Sequence, residues 1–384
     1  MSGQRIAILA HSTNPRGGVV HALELGDALA RLGHAAVVHA PDPKGRGFFR
    51  PTVCGTVCVP AAPAGTDVAE MVETRIADYV AHFAVPANRR FDVFHAQDGI
   101  SGNALASLKA RGLIHGFART VHHVDDFADP RLAALQQRAI VSADRHFVVS
   151  RLWQDVLAQR FGIAATIVGN GVDAARFTPQ PDGREAGLRR HFGLGDGPVV
   201  LAVGGVEARK NTVRLVEAFA QLHAVHPRVQ LVIAGGASLL DHHAYQQRFA
   251  AVLAATGLPP HAVVQTGPVP QDDMPALYRL ADILAFPSVK EGFGLVVLEA
   301  MASGVPCVVS RIAPFTEHLG DDDVVWCDPA RPGAIADALA MALAPELRRR
   351  LVRAGRAVAA RHDWSATARA HLDIYSRLQE PLHA

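Results

Sequence analysis

The sequence is poor in cysteine, in charge of a single sign and in long apolar runs. Four cysteines among 384 residues cannot form the disulfide framework of a secreted domain, and none of their spacings suits a zinc site. The 38 basic residues are balanced by 36 acidic ones, which excludes a protein that coats nucleic acid. No apolar stretch approaches the roughly 18 residues of a membrane span, and Met1–Ala10 does not resemble a signal peptide. We therefore expect a cytoplasmic globular protein without a metal site or a nucleic-acid partner.

Lysine is scarce as well. Only Lys44, Lys109, Lys210 and Lys290 occur among the 38 basic residues, and the remaining 34 are arginines. Codon composition accounts for most of this imbalance, but it makes the location of each lysine informative. A cofactor that is bound covalently by lysine, such as pyridoxal phosphate, has few positions to which it could attach.

Apolar residues are abundant, at 49% of the chain, and short apolar runs alternate with longer segments of helical period. This βαβα order predicts parallel sheets with helices on both faces, and the length suggests two domains at roughly 150 residues each. Strands are predicted at Arg5–Ala10, Ala35–His39, Asp92–His95, Gly116–Val121, His146–Val149, Val199–Val203, Val229–Ala234, Ala262–Thr266, Ile283–Phe286, Val305–Val309 and Val324–Cys327. Glycine and proline concentrate between Gly169 and Pro198, which favours a linker there.

The segment Phe286–Val309 combines the end of a predicted strand, a glycine-rich turn and the start of a helix near Phe293. Free backbone amides at a helix start bind anions, and glycine lets a phosphate approach the backbone closely. The amides expected to bind phosphate belong to Gly292, Phe293, Gly294 and Leu295. Glu291 and Glu299 flank this turn; since carboxylates repel phosphate, they would suit the neutral hydroxyls of a ribose or a sugar. In the alternative, Glu291 is a first-turn acid that complements the helix dipole and Glu299 is an exposed helix residue.

A second phosphate-binding segment is predicted at Gly204–Asn211, directly after the strand Val199–Val203. Two glycines followed by Arg209 and Lys210 suit a diphosphate, because such cations can neutralise the charge of a departing phosphate without a metal. The alternative is a solvated charge pair at a helix start. Helix starts normally favour acids, which speaks for the functional interpretation.

Two further segments follow predicted strands in the first half of the chain. The turn that contains Gly17 and Gly18 lacks the three-glycine dinucleotide fingerprint, yet it suits a phosphate or a closely approaching sugar. His122 ends a strand and precedes Asp125, and both a structural and a functional role remain open for it. Since adjacent residues rarely face the same way, His122 and His123 are not expected to bind a metal.

Taken together, these segments resemble the retaining family 4 glycosyltransferases, a large group with the GT-B fold. The resemblance runs from Arg5 to about Leu378, and its most specific part is Glu291-Gly292-Phe293-Gly294 through Glu299, the E-x7-E motif of that family. It implies an α/β protein with two Rossmann-like parallel-sheet domains facing across a cleft. The domains would be an N-terminal acceptor-side domain at 1–168, a linker at 169–197, a donor domain at 198–364 and a C-terminal helix at 365–380 that packs back on the first domain. Supporting matches are Asn170-Gly171-Val172-Asp173, Arg209-Lys210-Asn211, Pro287-Ser288, Gly304-Val305-Pro306, and Trp364 with Tyr375.

For the second half of the chain, the resemblance implies a nucleotide-sugar donor site. Glu299 would bind the ribose hydroxyls and Glu291 would face the transferred sugar. Arg209 and Lys210 would hold the diphosphate together with the amides of the glycine-rich turn. Val269 would pair with the base through its backbone.

For the first half, the resemblance implies that Gly17–Gly18 supports the diphosphate and that His122 contacts the donor sugar near the reacting centre. The family often has an acid directly after this histidine, where this chain has His123, so the geometry at His122 can differ. The loop 42–51 has no assigned role. Its basic and aromatic residues could recognise an anionic acceptor or touch a membrane peripherally, and an ordinary surface loop is the alternative.

The implied reaction moves a sugar from a nucleoside-diphosphate sugar to an acceptor hydroxyl, with retained anomeric configuration and with no metal or other cofactor. The sequence offers no clear carboxylate for a double displacement, so front-face attack is expected, with catalysis by His122, Glu291, Arg209 and Lys210. The acceptor could be a sugar, a small molecule or a lipid-linked compound. The alternatives are an epimerase of the same architecture, a phosphorylase with a pyridoxal-bearing lysine such as Lys290, and a non-catalytic nucleotide-sugar-binding subunit.

Overall fold

The protein, for which a computed structural model describes residues 3–236 and 243–378, consists of two compact α/β units. One unit contains the chain up to Gly171 together with the segment that begins at Trp364, and the other is Val172–Asp363. The segment 172–197, most of the predicted linker, is therefore part of the second unit. Within the described ranges, every helix is too short or too polar to span a bilayer.

The first unit contains a seven-stranded sheet whose strands are all parallel. Its strands are β1 Arg5–Leu9, β2 Ala35–Pro41, β3 Gly55–Val59, β4 Val93–Ala96, β5 Ala118–Val121, β6 Arg145–Val148 and β7 Thr166–Ile167. Their order is β3-β2-β1-β4-β5-β6-β7, so the direction of strand addition reverses between β1 and β4. Ligands of open parallel sheets bind beyond the carboxyl ends of the strands at such a reversal.

The second unit contains a six-stranded parallel sheet with the same kind of reversal. Its strands are β8 Val199–Val203, β9 Gln230–Ala234, β10 Val263–Gly267, β11 Ile283–Phe286, β12 Cys307–Ser310 and β13 Val325–Cys327. The order is β10-β9-β8-β11-β12-β13, which places the reversal between β8 and β11. The loops after these two strands contain the two predicted phosphate-binding segments.

Helices cover both sheets, as the alternating pattern predicts. The α-helices are α1 Gly17–Arg31, α2 Val68–Ala84, α3 Gly99–Ala110, α4 Pro130–Val141, α5 Arg151–Phe161, α6 Glu185–His191, α7 Thr212–Val225, α8 His243–Ala255, α9 Met274–Leu280, α10 Leu295–Ala302, α11 Pro332–Leu343, α12 Pro345–Ala360 and α13 Trp364–Tyr375. Single turns of 3-10 helix lie at Pro86–Arg89, Ala208–Lys210, Gln271–Asp273, Phe315–Glu317 and Ser376–Leu378.

All eleven predicted strands exist; two have the predicted ends, and in the others the ends shift by at most two residues. Two strands were not predicted, β3 and β7, which form the two edges of the first sheet. β3 reads Gly-Thr-Val-Cys-Val and is mostly exposed, so it lacks the continuous apolar run of a strand buried on both faces.

The last helix packs against α1 and belongs to the first unit. Trp364 and Tyr375, at its two ends, are 5% and 0% exposed. The helix predicted at 365–380 corresponds to α13 and the 3-10 turn that follows it, while residues 379 and 380 lie outside the described residues.

Candidate functional site

The loop after β8 packs Lys210 against Gly204. Gly204 has a φ of +127°, and a Cβ atom added there would lie 2.6 Å from Cε of Lys210. The aliphatic stem of the lysine therefore occupies the space that a side chain at position 204 would need. Asn211, with a φ of 59°, then redirects the chain into α7.

Lys210 and Arg209 converge on Glu291. The Lys210 Nζ atom lies 2.6 Å from Glu291 Oε1, and Arg209 Nη1 donates to the same oxygen at 3.2 Å. Arg209 Nε also donates to Oε2 of Glu207 at 3.0 Å. The ammonium group of Lys210 lies 4.3 Å from the ring centroid of Phe286, a cation–π contact. The structure thus brings together three residues predicted from two separate motifs.

Burial shapes the protonation of this cluster. It lowers the pKa of Lys210 to about 8, against the opposing attraction of Glu291. Burial alone would raise the pKa of Glu291, but the charges of Lys210 and Arg209 hold it below its usual value. At neutral pH the two cations, Arg209 and Lys210, are thus balanced by the carboxylates of Glu207 and Glu291, and an anion would be attracted by the N–H groups that the two cations direct toward it.

The glycine-rich turn after β11 ends at Gly294, which has a φ of +98° and precedes α10. The helix begins at Leu295, two residues later than predicted, because Gly294 in the left-handed region cannot belong to it. A Cβ atom at Gly294 would lie 2.6 Å from Cε1 of Phe315, so a side chain is excluded there. No side chain caps this helix start, and amides at an uncapped helix start can bind an anion.

The side chain of Phe293, the aromatic residue of the turn, packs inside the protein. The ring of Phe293 is 6% exposed and stacks on His318 at 4.4 Å with an interplanar angle of 5°. His362 packs edge-on against the same ring at 5.9 Å. Burial lowers the pKa of His318 to about 4, so this stack is neutral at physiological pH. Of the predicted phosphate contacts, Phe293 can therefore offer its amide but not its side chain.

Glu299 on α10 is partly buried, which excludes the simple exposed-helix interpretation. Its Oε2 atom accepts a hydrogen bond of 2.7 Å from the Tyr278 hydroxyl. Burial raises its pKa above the ordinary glutamate value, while Tyr278 and the charge of Arg176 oppose the rise. Val269, the residue predicted to meet the base, lies partly exposed between β10 and the 3-10 turn Gln271–Asp273.

In the first unit, the start of α1 lies against His122. A Cβ atom at Gly18 would lie 3.6 Å from Cδ2 of His122, whereas one at Gly17 would meet nothing within 4 Å. His122 Nε2 lies 3.0 Å from Oε1 of Gln97, at the end of β4. Burial holds the pKa of His122 well below its usual value, so the ring is neutral at pH 7. His123 is exposed and pairs instead with Asp125 at 3.1 Å.

Sequence reasoning missed the histidines that surround His122. The ring of His21 lies 4.8 Å from that of His122, and its Nδ1 atom lies 2.6 Å from Asn170 Oδ1. His95 and His371 lie deeper and contact each other at 5.3 Å. These residues are spread from α1 to α13, and a single histidine inside an apolar run offers no sequence signal of such a cluster. Across 3–236 and 243–378, no group of three or more histidine, cysteine, aspartate or glutamate residues is placed to hold a metal ion.

The loop 42–51 is anchored to α1 by an ion-pair network. Arg50 pairs with Glu24 and with Asp27, both at 2.9 Å, and its side chain is 10% exposed. This arginine therefore stabilises the loop and is not available to an anionic acceptor. Lys44 and Arg46 at the tip are exposed.

Comparisons with known proteins identify the family. The model of the family described as "Glycosyltransferase Family 4" matches residues 15–176, and that described as "Glycosyl transferases group 1" matches residues 187–358. A D-inositol 3-phosphate glycosyltransferase of Xylanimonas cellulosilytica is 30% identical over 98% of this chain and 97% of its own length. The chain belongs to the family 4 glycosyltransferases. The predicted family and enzyme class are thus confirmed.

Another curated relative and two solved structures are also similar to this glycosyltransferase. A GDP-mannose-dependent alpha-(1-6)-phosphatidylinositol monomannoside mannosyltransferase of Mycobacterium tuberculosis is 28% identical, with 88% of each chain covered. Sucrose-phosphate synthase of Thermosynechococcus elongatus superposes with a TM-score of 0.78 at 23% identity, covering 98% of this chain and 99% of its own. Anabaena HepE in complex with UDP and glucose gives a TM-score of 0.78 at 18% identity, covering 97% and 99%. The predicted GT-B fold of two Rossmann-like domains is confirmed.

Proposed function

We propose that this glycosyltransferase transfers a sugar from a nucleoside-diphosphate sugar to an acceptor hydroxyl, with retention of configuration and without a metal ion or other cofactor. The observation that carries the proposal is the convergence of Arg209 and Lys210 on Glu291, beside the uncapped start of α10. Two cations beside the amides of an uncapped helix start form an anion site that suits a diphosphate. The donor domain is assigned to 198–364 and the acceptor side to 1–168.

Individual roles follow from the chemistry of each group. Arg209 and Lys210 hold the diphosphate and stabilise the charge that develops on it as the glycosidic bond breaks. The amides of Gly292, Phe293, Gly294 and Leu295 assist them. Glu299 binds the ribose hydroxyls, Glu291 faces the transferred sugar, and the backbone of Val269 pairs with the base. In the first unit, Gly17, Gly18 and His122 are assigned to the phosphate and to the transferred sugar, as the family resemblance implies.

The state of Glu291 favours front-face attack over a covalent intermediate. A double displacement needs a carboxylate that attacks the anomeric carbon. One Glu291 oxygen already accepts from both Lys210 and Arg209, and these cations lower its pKa, so it is a weak nucleophile. In the front-face route, an oxygen of the leaving phosphate takes the acceptor proton while the acceptor oxygen bonds to the anomeric carbon on the face that the phosphate leaves.

The acceptor is proposed to be a hydroxyl of a phosphorylated polyol or of a lipid that contains one. Two relatives are named for such acceptors, inositol 3-phosphate and phosphatidylinositol monomannoside. For a lipid-linked acceptor, membrane contact would be peripheral.

The test combines binding with product analysis. A thermal-shift panel of UDP-, GDP- and ADP-sugars should identify a donor, since a ligand at 100 times its Kd adds about 2.7 kcal/mol of stability. The donor is then incubated with inositol phosphates in the presence of EDTA, and the anomeric configuration of the product is read by NMR. Transfer with retention in EDTA is expected. An inverted product, or activity that only manganese restores, would contradict the mechanism, and donor conversion without any acceptor would indicate an epimerase.

A further inference from the structure

The imidazole of His122 is held by a chain of buried hydrogen bonds that begins in the last helix. We propose that Tyr375, acting through His95 and Gln97, holds His122 in the tautomer that has its proton on Nε2 and its lone pair on Nδ1. These three residues are positioning residues. The role of His122 at the donor sugar rests on the proposed function, whereas its tautomer does not.

The first link is the contact between Tyr375 and His95. The Tyr375 hydroxyl lies 2.7 Å from Nδ1 of His95, and both residues are 0% exposed. This is the one hydrogen bond of that hydroxyl within the described part of the chain, so its proton must go to His95. Burial raises the pKa of Tyr375 and lowers that of His95, so the phenol keeps its proton and the imidazole stays neutral. Since Nδ1 accepts, the His95 proton is on Nε2, from which it donates to Thr120 Oγ1 at 2.8 Å.

The second link is the amide of Gln97, which is 2% exposed. Its Nε2 atom lies 3.3 Å from both ring nitrogens of His95. An atom equally far from both ring nitrogens lies over the face of the ring, and this π face attracts an amide N–H group and repels the amide oxygen. The oxygen is thereby directed to the other side, where it lies 3.0 Å from Nε2 of His122.

The third link determines the tautomer of His122. An amide oxygen can only accept a hydrogen bond, so the Nε2 atom that faces it must donate. The neutral ring then has its lone pair on Nδ1, which is able to accept a hydrogen bond from a sugar hydroxyl. His21, edge-on at 4.8 Å, and Gly18 limit the rotation of the ring.

The tautomer can be read directly by NMR of the full-length protein labelled with ¹⁵N-histidine. Long-range ¹H–¹⁵N correlation spectra distinguish a protonated from an unprotonated ring nitrogen, and the spectrum of His122→Asn identifies the His122 signals. In the wild type we expect a single Nε2–H tautomer. In Tyr375→Phe we expect a mixture of both tautomers, because the His95 ring loses the hydrogen bond that fixes its orientation and no longer holds one face against the Gln97 amide.

Tyr79→Phe is the matched control. Tyr79 is also 0% exposed in the first unit, and its hydroxyl lies 2.6 Å and 2.7 Å from the carbonyl oxygens of Ala10 and His39, which share its one proton. This variant loses a buried hydroxyl of the same kind but should keep the His122 tautomer. If Tyr375→Phe fails to fold, Gln97→Leu removes the acceptor directly and should give the same mixture. An Nδ1–H tautomer in the wild type, or an unchanged single tautomer in Tyr375→Phe or Gln97→Leu, would overturn the proposal.

Kinetics separates positioning from a general loss of stability. With a donor and acceptor identified, Tyr375→Phe should lower kcat about fivefold, the size of one neutral hydrogen bond, and leave the donor KM within about twofold. In the His122→Asn background the same change should have no further effect on kcat, because the imidazole that the hydrogen-bonded chain positions is then absent. A fivefold loss of kcat that persists in that background would show that Tyr375 does not act through His122 and would overturn the proposal. A complete absence of transfer would count against the proposed function only, since the spectra test the tautomer independently.

Discussion

Lys210 is a lysine in a sequence whose basic residues are mostly arginine. The chain uses arginine at 34 of 38 basic positions, yet a lysine lies between Gly204 and the ring of Phe286. An ammonium on a thin stem fits this space, and its pKa responds to burial far more than that of a guanidinium. The sequence indicated that this lysine was unusual, but only the packing explains the preference.

Donor binding should weaken as the pH rises through about 8. Burial lowers the pKa of Lys210 to about 8 in the folded protein, so its ammonium is lost above that pH. We expect the Kd of the bound nucleotide sugar, measured by isothermal titration calorimetry, to rise about tenfold per pH unit above 8, as for the loss of one proton. Folding stability moves in the opposite direction. Between pH 8 and about 10.4 the unfolded chain holds one more proton, so the cost of burying the ammonium is relieved.

Two variants control this prediction. Lys210→Arg should bind more weakly at pH 7 but lose the pH dependence, because a guanidinium stays charged throughout this range. Lys109→Ala removes a different lysine that pairs with a carboxylate, Asp144, at 2.5 Å, and should leave donor affinity unchanged at every pH. If the donor Kd of Lys210→Arg still begins to rise near pH 8, a group other than Lys210 is responsible for the pH dependence.

Glu299 should contribute to donor affinity through the ribose. Glu299→Gln keeps an acceptor for Tyr278 but loses the charge, so the Kd of the ribonucleotide should rise about tenfold to a hundredfold, as for a hydrogen bond to a charged group. A 2′,3′-dideoxy analogue of the same nucleotide, which lacks both ribose hydroxyls, should bind the wild type and the variant equally. Equal losses with both nucleotides would mean that Glu299 acts through structure alone.

At the scale of elements, the sequence predicted the strands and turns that a local residue pattern marks. Buried parallel strands appear as apolar runs, so every strand inside the two sheets could be placed, while the exposed edge strand β3 could not. The two turns proposed to bind phosphate could be located because glycine and charge mark them. The hydrogen bond from Tyr375 to His95 joins residues 280 positions apart, and no local pattern reports such a contact.

The start of α10 depends on Gly294, because its backbone conformation and its close neighbours leave no room for a side chain. Gly294→Ala places a Cβ at a φ of +98° and 2.6 Å from the Phe315 ring, so the turn must shift. We expect a loss of about 1–3 kcal/mol in the free energy of unfolding, measured by urea denaturation, together with weaker nucleotide binding. Gly17→Ala is the matched control at the start of α1, where a Cβ meets nothing within 4 Å. Its stability should stay within about 0.5 kcal/mol of the wild type, and a large loss would contradict this account of the two glycines.

At the scale of the whole molecule, the two units differ in how the chain builds them. The second unit is one continuous segment, Val172–Asp363, with its own six-stranded sheet and a core that includes Phe219 and Ile335. The first unit needs both ends of the chain, because α13 packs on α1 and buries Trp364, His371 and Tyr375. Completion of the first unit therefore requires α13, which follows the second unit in the sequence.

The segment 172–363 expressed alone should fold and bind nucleotide. It contains the Lys210–Glu291 cluster, Glu299 and the start of α10, and it needs no residue from α13 to complete its sheet or its core. We expect a cooperative thermal transition that the nucleoside diphosphate of the preferred donor shifts upward. The segment 1–171 should instead remain partly unfolded, because it exposes the apolar face of α1 that α13 covers. Adding a peptide of residues 364–384 should restore its transition. A well-folded 1–171 without that peptide would show that α13 is dispensable to the first sheet, and its contribution would then be limited to holding His95 and, through it, His122.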